Sequence, residues 1–356
     1  MPRRVIQYGT GFVGTHVLRG ILANPEFELV GLVVHSEDKA GQDAGTICGV
    51  DPVGVEATID VDHMLGVEAD VFAYFGAADF ANPATDLLER MLASGKNVVS
   101  TAISELIYPQ AARKEIREQI EQGCRDGSTT YFGTGIEPGF FSDYLPIVMT
   151  GCSRRIDSVR VYELATYGSG QNSDVVAFDI MGLGGPLDPP PPITTPEGLL
   201  ANWAGVVAQM AAQLGLQLDE ITTHVELNPA DEAFDYQGRT IEQGTVSALR
   251  FEIVGLVDGE PRVAVEHVTR TRDQEAPQWV RPLAGSDAYR IVIEGSPRLQ
   301  CEFQIDENGD GLDAAYLITA MRVINAIPAV CDAAPGIVTA FDLPLVTGRL
   351  ATGKPS

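Results

Sequence analysis

Basic residues are scarce in this chain. Its 356 residues hold 24 Lys and Arg against 49 Asp and Glu, a formal net charge of −25. A surface of that sign repels nucleic acid and anionic membranes, so neither is expected as a main partner. An anionic cofactor is not excluded, because a local helix dipole can outweigh a distant field. Cysteine is also sparse. Cys48, Cys124, Cys152, Cys301 and Cys331 are odd in number, widely scattered and form no C-x-x-C. That excludes a zinc knuckle and a redox dithiol, and reads as reduced thiols in a cytoplasmic protein. No signal-peptide pattern precedes the first strand. No apolar run is expected to span a bilayer; the nearest, Ala314 to Ala334, is interrupted by Arg322, Asn325 and Asp332. The five histidines show no i, i+4 pair and no carboxylate-flanked cluster, so no metal site is expected. Asp306 to Gly311 starts like a calcium loop, but its twelfth position is Leu317 rather than glutamate, which removes that reading.

What the chain does have is a dense motif near its start. Val5 to Tyr8 reads as a buried strand, Gly9-Thr10-Gly11-Phe12-Val13-Gly14 follows at once, and Thr15 to Leu22 has apolar residues at helical spacing. Strand, glycine turn and helix together make a dinucleotide-binding fingerprint. The first glycine permits the tight turn, the second admits a pyrophosphate to the backbone, and the third lets helix and strand pack closely. The helix start offers free N–H groups to the phosphates.

The following strand, Phe27 to Val34, ends in His35-Ser36-Glu37-Asp38-Lys39. An acidic residue at the strand end, about 20 residues beyond the glycines, would bind the ribose hydroxyl of NAD, and a basic one a 2′-phosphate. His35, Ser36 and Lys39 favour NADP; Glu37 and Asp38 leave NAD possible. Further strands are expected at Val71 to Phe75, Asn97 to Ser100 and Thr129 to Gly133, with helices at Pro83 to Ala93 and Pro109 to Gln122 and a loop at Gly41 to Val50. Alternation at this spacing predicts a Rossmann-type doubly wound parallel sheet, whose ligands lie beyond the carboxyl ends of the strands. Ala77, Ala78, Thr101 and Ala102 are therefore candidate cofactor contacts, and Glu105 is either an acid–base carboxylate or a solvated glutamate at a helix entry.

From about Arg155 the pattern changes to alternating strands. Thr195-Pro196 opens a helix to about Leu214, whose stripe of Leu200, Trp203, Val206, Val207 and Met210 reads as core. Asp258-Gly259 marks a hairpin. This half is expected to be an α+β domain with an open, mostly antiparallel sheet. The domains are placed at 1–150, completed by 313–356, and at 151–312. An open sheet would expose an apolar face unless paired, so a homodimer is expected.

Several segments together resemble one family: Gly9 to Gly14, His35-Ser36 with Lys39, Gly41-Gln42-Asp43-Ala44-Gly45, Thr134-Gly135 through Pro138-Gly139-Phe140, and Asn325-Ala326-Ile327-Pro328. They resemble the diaminopentanoate dehydrogenase-like proteins, which carry a dihydrodipicolinate reductase-like N-terminal domain and include the native amine dehydrogenases. The resemblance implies NAD(P)H-dependent reductive amination of a ketone or aldehyde with ammonia, and the reverse deamination. It also implies a catalytic glutamate after the strand at 97–100, which Glu105 matches, and a cofactor contact at Asn325. Glu137 departs from the neutral polar residue expected before Pro138; it either binds an amine or faces solvent. Phe140 either walls a pocket or fills the core, and Tyr167 and Asn172 are further substrate candidates. Two other readings stay open: another NAD(P)-dependent reductase of a carbonyl or imine, and a cofactor-binding protein without turnover.

Overall fold

The computed structural model describes residues 1–76, 84–169 and 172–349. Two compact units divide the chain: one holds the described residues of Met1–Ile136 and Tyr316–Ser356, the other Glu137–Ala315. The division follows Ile136, not residue 150. Glu137 to Thr150 packs within the second unit, where Phe141 stacks on Tyr289 with ring centroids 4.4 Å apart.

The first unit is built from β1 (Arg3–Tyr8), α1 (Phe12–Ala23), β2 (Phe27–Val33), α2 (Ala44–Cys48), β3 (Ala57–Thr58), α3 (Val61–Gly66), β4 (Val71–Tyr74), α4 (Thr85–Ala93), β5 (Asn97–Ser100), α5 (Lys114–Gly127) and β6 (Thr130–Gly133). The strands are parallel, in the order β6-β5-β4-β1-β2-β3, and Gly336–Val338 adds a parallel strand beyond β6. Val5, Ile6, Val71, Phe72, Val98 and Val99 have no solvent exposure, as strands covered on both faces require. Their carboxyl ends therefore share one edge.

Two local expectations are corrected. The glycine-rich 41–50 segment contains the short helix α2, because the Asp43 carboxylate accepts N–H bonds from Gly45, Val53 and Gly54 and ties the turn shut. Helix α5 begins at Lys114 rather than Pro109. Ser104–Ile107 instead forms a 3₁₀ turn, and Glu105 captures the backbone N–H of Arg113, the residue that precedes the helix.

The second unit contains α6 (Tyr144–Thr150), β7 (Arg155–Thr166), α7 (Pro196–Gln213), β8 (Glu220–Pro229), the small pair β9 (Phe234–Tyr236) and β10 (Arg239–Ile241), β11 (Val246–Val257), β12 (Glu260–Arg270), β13 (Ala288–Ser296) and β14 (Leu299–Gln304). Six strands form a sheet in the order β14-β13-β7-β12-β11-β8, antiparallel except for β7 beside β12. Asp258 and Gly259 both take positive φ, 55° and 77°, as a two-residue hairpin turn of the I′ kind demands. Thr195 caps α7 with its hydroxyl on the Gly198 N–H, and Pro196 occupies the first helical position. Trp203, Val206, Val207 and Met210 of α7 are buried against this sheet.

The opposite face of the sheet is not apolar, contrary to expectation. Arg250 bonds Glu226, Glu252 and Glu266, and Arg160 bonds Glu266 at 2.9 Å. Arg290 bonds Glu302 at 2.6 Å on the same face. Period-two alternation puts these charges on one side and the α7-facing residues on the other.

The last long helix, α8 (Gly311–Cys331), starts in the second unit and runs into the first. Its length and hydropathy would suffice to cross a bilayer, contrary to the expectation that no run would. One side of it packs into the protein: Val323, Ala326, Ile327 and Val330 are fully buried, and a Cβ on Gly20 of α1 would lie 2.5 Å from Ile324 Cδ1.

Candidate active site

The glycine turn is built as its sequence demands. Gly9 has φ +94°, and a Cβ there would sit 2.2 Å from the Phe75 carbonyl oxygen beyond β4. A Cβ on Gly14 would sit 2.4 Å from the Gly9 carbonyl oxygen. Gly11 differs: among the described residues, nothing lies within 4 Å of the place its Cβ would take. That open space lies at the N-terminus of α1, whose first turn carries no acidic residue. A pyrophosphate fits such a cradle, meeting free N–H groups and the positive end of the helix.

A residue that the sequence reading passed over holds this turn together. Gln7 has no solvent exposure, and its Nε2 donates to the carbonyls of Gly9 and Gly14 at 2.8 and 2.6 Å. A lone amide side chain inside an otherwise apolar strand was the available signal. Beside the turn, the Lys39 ammonium donates to the Thr10 carbonyl at 3.0 Å and to the Thr10 hydroxyl at 3.2 Å. His35 is exposed and Ser36 half-buried at the end of β2. Phe12 stacks on Tyr316 of α8, with centroids 5.2 Å apart. Val13, Thr101, Ala102 and Asn325 are half-buried, while Ala77 and Ala78 lie outside the described residues.

Glu105 stands past the carboxyl end of β5 and is 8 % exposed. Its carboxylate meets a fork: Oε1 accepts from Arg113 Nε at 2.9 Å and Nη2 at 2.7 Å. Oε2 accepts the Arg113 backbone N–H at 2.7 Å and only a long bond of 3.3 Å from Nε. Each carboxylate oxygen has room for about two donors. Oε1 is therefore filled, and Oε2 is the oxygen able to take another.

The second unit carries a set of groups that the sequence did not bring together. Register places Phe251, His267, Glu163 and Tyr289 in one row across β11, β12, β7 and β13. His267 Nδ1 is 2.8 Å from Glu163 Oε2, and the Tyr289 hydroxyl donates to Glu163 Oε1 at 3.0 Å. Thr269 Oγ1 lies 2.5 Å from His267 Nε2, and Phe251 stacks flat on the imidazole at 4.7 Å. The sequence shows no carboxylate-flanked histidine cluster because Glu163 and His267 are 104 positions apart, and strand pairing joins them. Burial, together with the Glu163 charge, pushes the Tyr289 hydroxyl well above its usual range.

Glu137 belongs to this neighbourhood. Trp203 Nε1 donates to its Oε1 at 2.8 Å, so a residue read as plain core also holds a polar contact. Among the described residues, Oε2 is buried and has no hydrogen-bond partner in bonding geometry. Burial first, then the Glu163 charge, raises this carboxyl well above the usual carboxylate range; Ser142 and Trp203 oppose the shift, and Asp143 adds to it. Glu137 does not face solvent through its carboxyl.

Of the remaining candidates, half-buried Phe140 packs edge-on to Phe141 at 5.2 Å and near Tyr144. Tyr167 is buried in a 3₁₀ turn. Its neighbours Thr166 and Gly168 line a polar cavity of about 490 Å³, with Tyr236, Thr271 and Arg272. Asn172 is buried, and its Oδ1 accepts the Ser173 N–H.

A parallel sheet with this cradle at its carboxyl edge, followed by a separate mixed-sheet unit, defines an oxidoreductase of the nicotinamide-dinucleotide class. Residues 3–118 match the family described as dihydrodipicolinate reductase, N-terminus, and residues 202–354 match the 2,4-diaminopentanoate dehydrogenase C-terminal domain. The chain is 34 % identical over 354 residues to an amine dehydrogenase of Streptomyces virginiae, covering 97 % of this chain and 98 % of the relative. It is 26 % identical to a 2,4-diaminopentanoate dehydrogenase of Acetoanaerobium sticklandii, over 96 % of this chain and 93 % of that one. The fold matches the structure of an amine dehydrogenase from Mycobacterium smegmatis with a TM-score of 0.78, at 23 % identity and 98 % coverage of both chains. The chain belongs to the amine dehydrogenase family, NAD(P)-dependent oxidoreductases acting on CH–NH₂ donors.

Proposed function

We propose that the protein catalyses the reversible reductive amination of a small ketone or aldehyde with ammonia, with NADP preferred to NAD. The observation that carries this reading is the open cradle at Gly11 with the Lys39 ammonium held at Thr10 on its rim. A compact cation at that place suits a 2′-phosphate, and the exposed His35 adds a second donor.

A bound nicotinamide supplies the hydride. The chain's own residues do the rest. Gly9, Gly11 and Gly14 seat the pyrophosphate, with Thr10, Phe12 and Val13 around it. Ser36, Ala77, Ala78, Thr101, Ala102 and Asn325 complete the cofactor's surroundings in this reading. Glu105 is the carboxylate that meets ammonia: Oε2 accepts an N–H, and the Arg113 fork keeps the group oriented. The same oxygen takes the proton that nitrogen loses as it adds to the carbonyl, and returns one as water leaves. Phe140, Tyr167, Asn172 and Glu137 contribute to the substrate's surroundings. The protein is further proposed to be a cytoplasmic homodimer. Five unpaired cysteines support the compartment, and the ion-paired sheet face offers a self-complementary surface.

The test is oxidation of NADPH and NADH with a panel of small ketones and aldehydes, with and without high ammonium at alkaline pH. Ammonium-dependent oxidation, faster with NADPH, is expected. Oxidation independent of ammonium would replace the assignment with a carbonyl reductase.

A further inference from the structure

We propose that Glu137, supported by Glu163, forms a binding point for a protonated nitrogen, either an ammonium ion or a cationic amino group carried by the organic substrate. This deepens the reductive-amination reading above and rests on it for the identity of the ligand.

The geometry leads there in steps. Among the described residues Glu137 Oε2 is a buried acceptor with no donor in bonding geometry, the nearby Ser142 hydroxyl bonding the Gly139 backbone, and its partner oxygen takes the Trp203 indole N–H. The groups that face it come from every neighbouring element. Ser142 and Asp143 lie on its own loop, Glu163 on β7 and Trp203 on α7. Behind Glu163 stand His267 and Thr269 on β12 and Tyr289 on β13. Among the described residues, neither Glu137 nor Glu163 is paired with a lysine or arginine. Glu105, Glu266, Glu275 and Glu302, by contrast, are each paired with an arginine.

A buried acceptor without a donor is costly, and two mutually repelling carboxyls raise that cost. A small cation bearing N–H groups relieves both at once. Ammonium has the size of water, and a primary ammonium ends in the same three donors. The raised carboxyl agrees with this placement: a neighbouring cation favours the charged form, so binding draws a proton off the carboxyl to solvent. Binding therefore strengthens with rising pH until the nitrogen itself loses its proton.

The experiment is thermal denaturation of the full chain in ammonium chloride, in sodium chloride and in tetramethylammonium chloride, which has no N–H, at equal ionic strength and mildly alkaline pH. A primary diamine forms a further arm. The wild type is expected to gain several degrees of Tm in ammonium over sodium, and none in tetramethylammonium. Glu137→Gln should abolish that difference, and Glu163→Gln should reduce it and serve if the first variant folds poorly. In turnover, Glu137→Gln should raise KM for ammonium at least tenfold, while NADPH affinity, read by fluorescence titration, changes less than threefold. If instead the diamine alone stabilises and loses its effect in the variant, the ligand is the substrate's own amino group. Equal ammonium and diamine effects in wild type and both variants would overturn the proposal, even with reductive amination intact. Ammonium-specific stabilisation without turnover would leave the binding point standing and remove the enzymatic reading.

Discussion

The Arg113 guanidinium and its backbone N–H together occupy both oxygens of Glu105, yet leave Oε2 with the weaker set of bonds. A carboxylate held this way is oriented before any substrate arrives. Glu105→Gln preserves the shape and removes the anion. Its kcat/KM for ammonium-dependent NADPH oxidation is expected to fall by roughly 10²–10⁴, the usual worth of general acid–base work. NADPH affinity, measured by fluorescence titration, should stay within threefold. A loss under tenfold would take Glu105 out of the chemistry.

Removing the other partner tests stability rather than rate. Arg113→Ala leaves Glu105 buried with its backbone N–H bond alone. The Arg113 side chain is 49 % exposed, so water screens the pair. A loss of about 1–3 kcal/mol is expected, below the roughly 3–5 kcal/mol of a fully buried pair. Urea denaturation reads it directly.

Lys39→Ala should change the choice between cofactors. A charge-assisted bond to a phosphate is worth about 1.5–3 kcal/mol, so affinity for NADPH should fall about 10- to 100-fold relative to NADH. Parallel titrations with both cofactors give the ratio, and an unchanged ratio would place the 2′-phosphate elsewhere.

The three glycines should respond differently. Gly14→Ala drives a Cβ to 2.4 Å from a backbone carbonyl oxygen and is expected to lower stability by about 1–3 kcal/mol as well as cofactor binding. Gly11→Ala meets nothing among the described residues. It should leave Tm within a degree or two while weakening NADPH, since its methyl occupies the space meant for phosphate.

Glu137 predicts a pH effect of definite sign. Its carboxyl is raised in the folded chain, so the folded state holds the proton more tightly than the unfolded one. The stability this gives is complete below the ordinary glutamate range and is lost as pH rises through the folded value. The Tm of Glu137→Gln minus that of wild type should therefore grow as pH rises from 5 to 9. A flat difference would mean that the carboxyl ionises normally.

Local signals survived the passage from sequence to structure, and long-range ones did not. The glycine turn, the Thr195 cap and the Asp258-Gly259 hairpin each depend on a few adjacent residues, and each stands where its chemistry put it. The position of Glu105 is legible because a parallel sheet fixes what lies past a strand end. Its partner Arg113 was hidden by the assumption that α5 began at Pro109. Glu163, His267 and Tyr289 carry no local mark at all. The parallel pairing of β7 with β12, across a connection of more than 90 residues, and the antiparallel pairing of β13 with β7 set them side by side. Trp203 was read by its helical spacing, which reports a buried face and is silent about an indole N–H.

The Gln7 amide has a consequence for how cofactor is captured. By fixing the carbonyls of Gly9 and Gly14, it orders the loop during folding rather than at the encounter with ligand. The conformational entropy of the turn is then already spent when the dinucleotide arrives, and no induced closure of the loop is required. Association at this edge of the sheet should be a single fast step, limited by diffusion and orientation, with the dissociation rate setting the difference between one nicotinamide dinucleotide and the other.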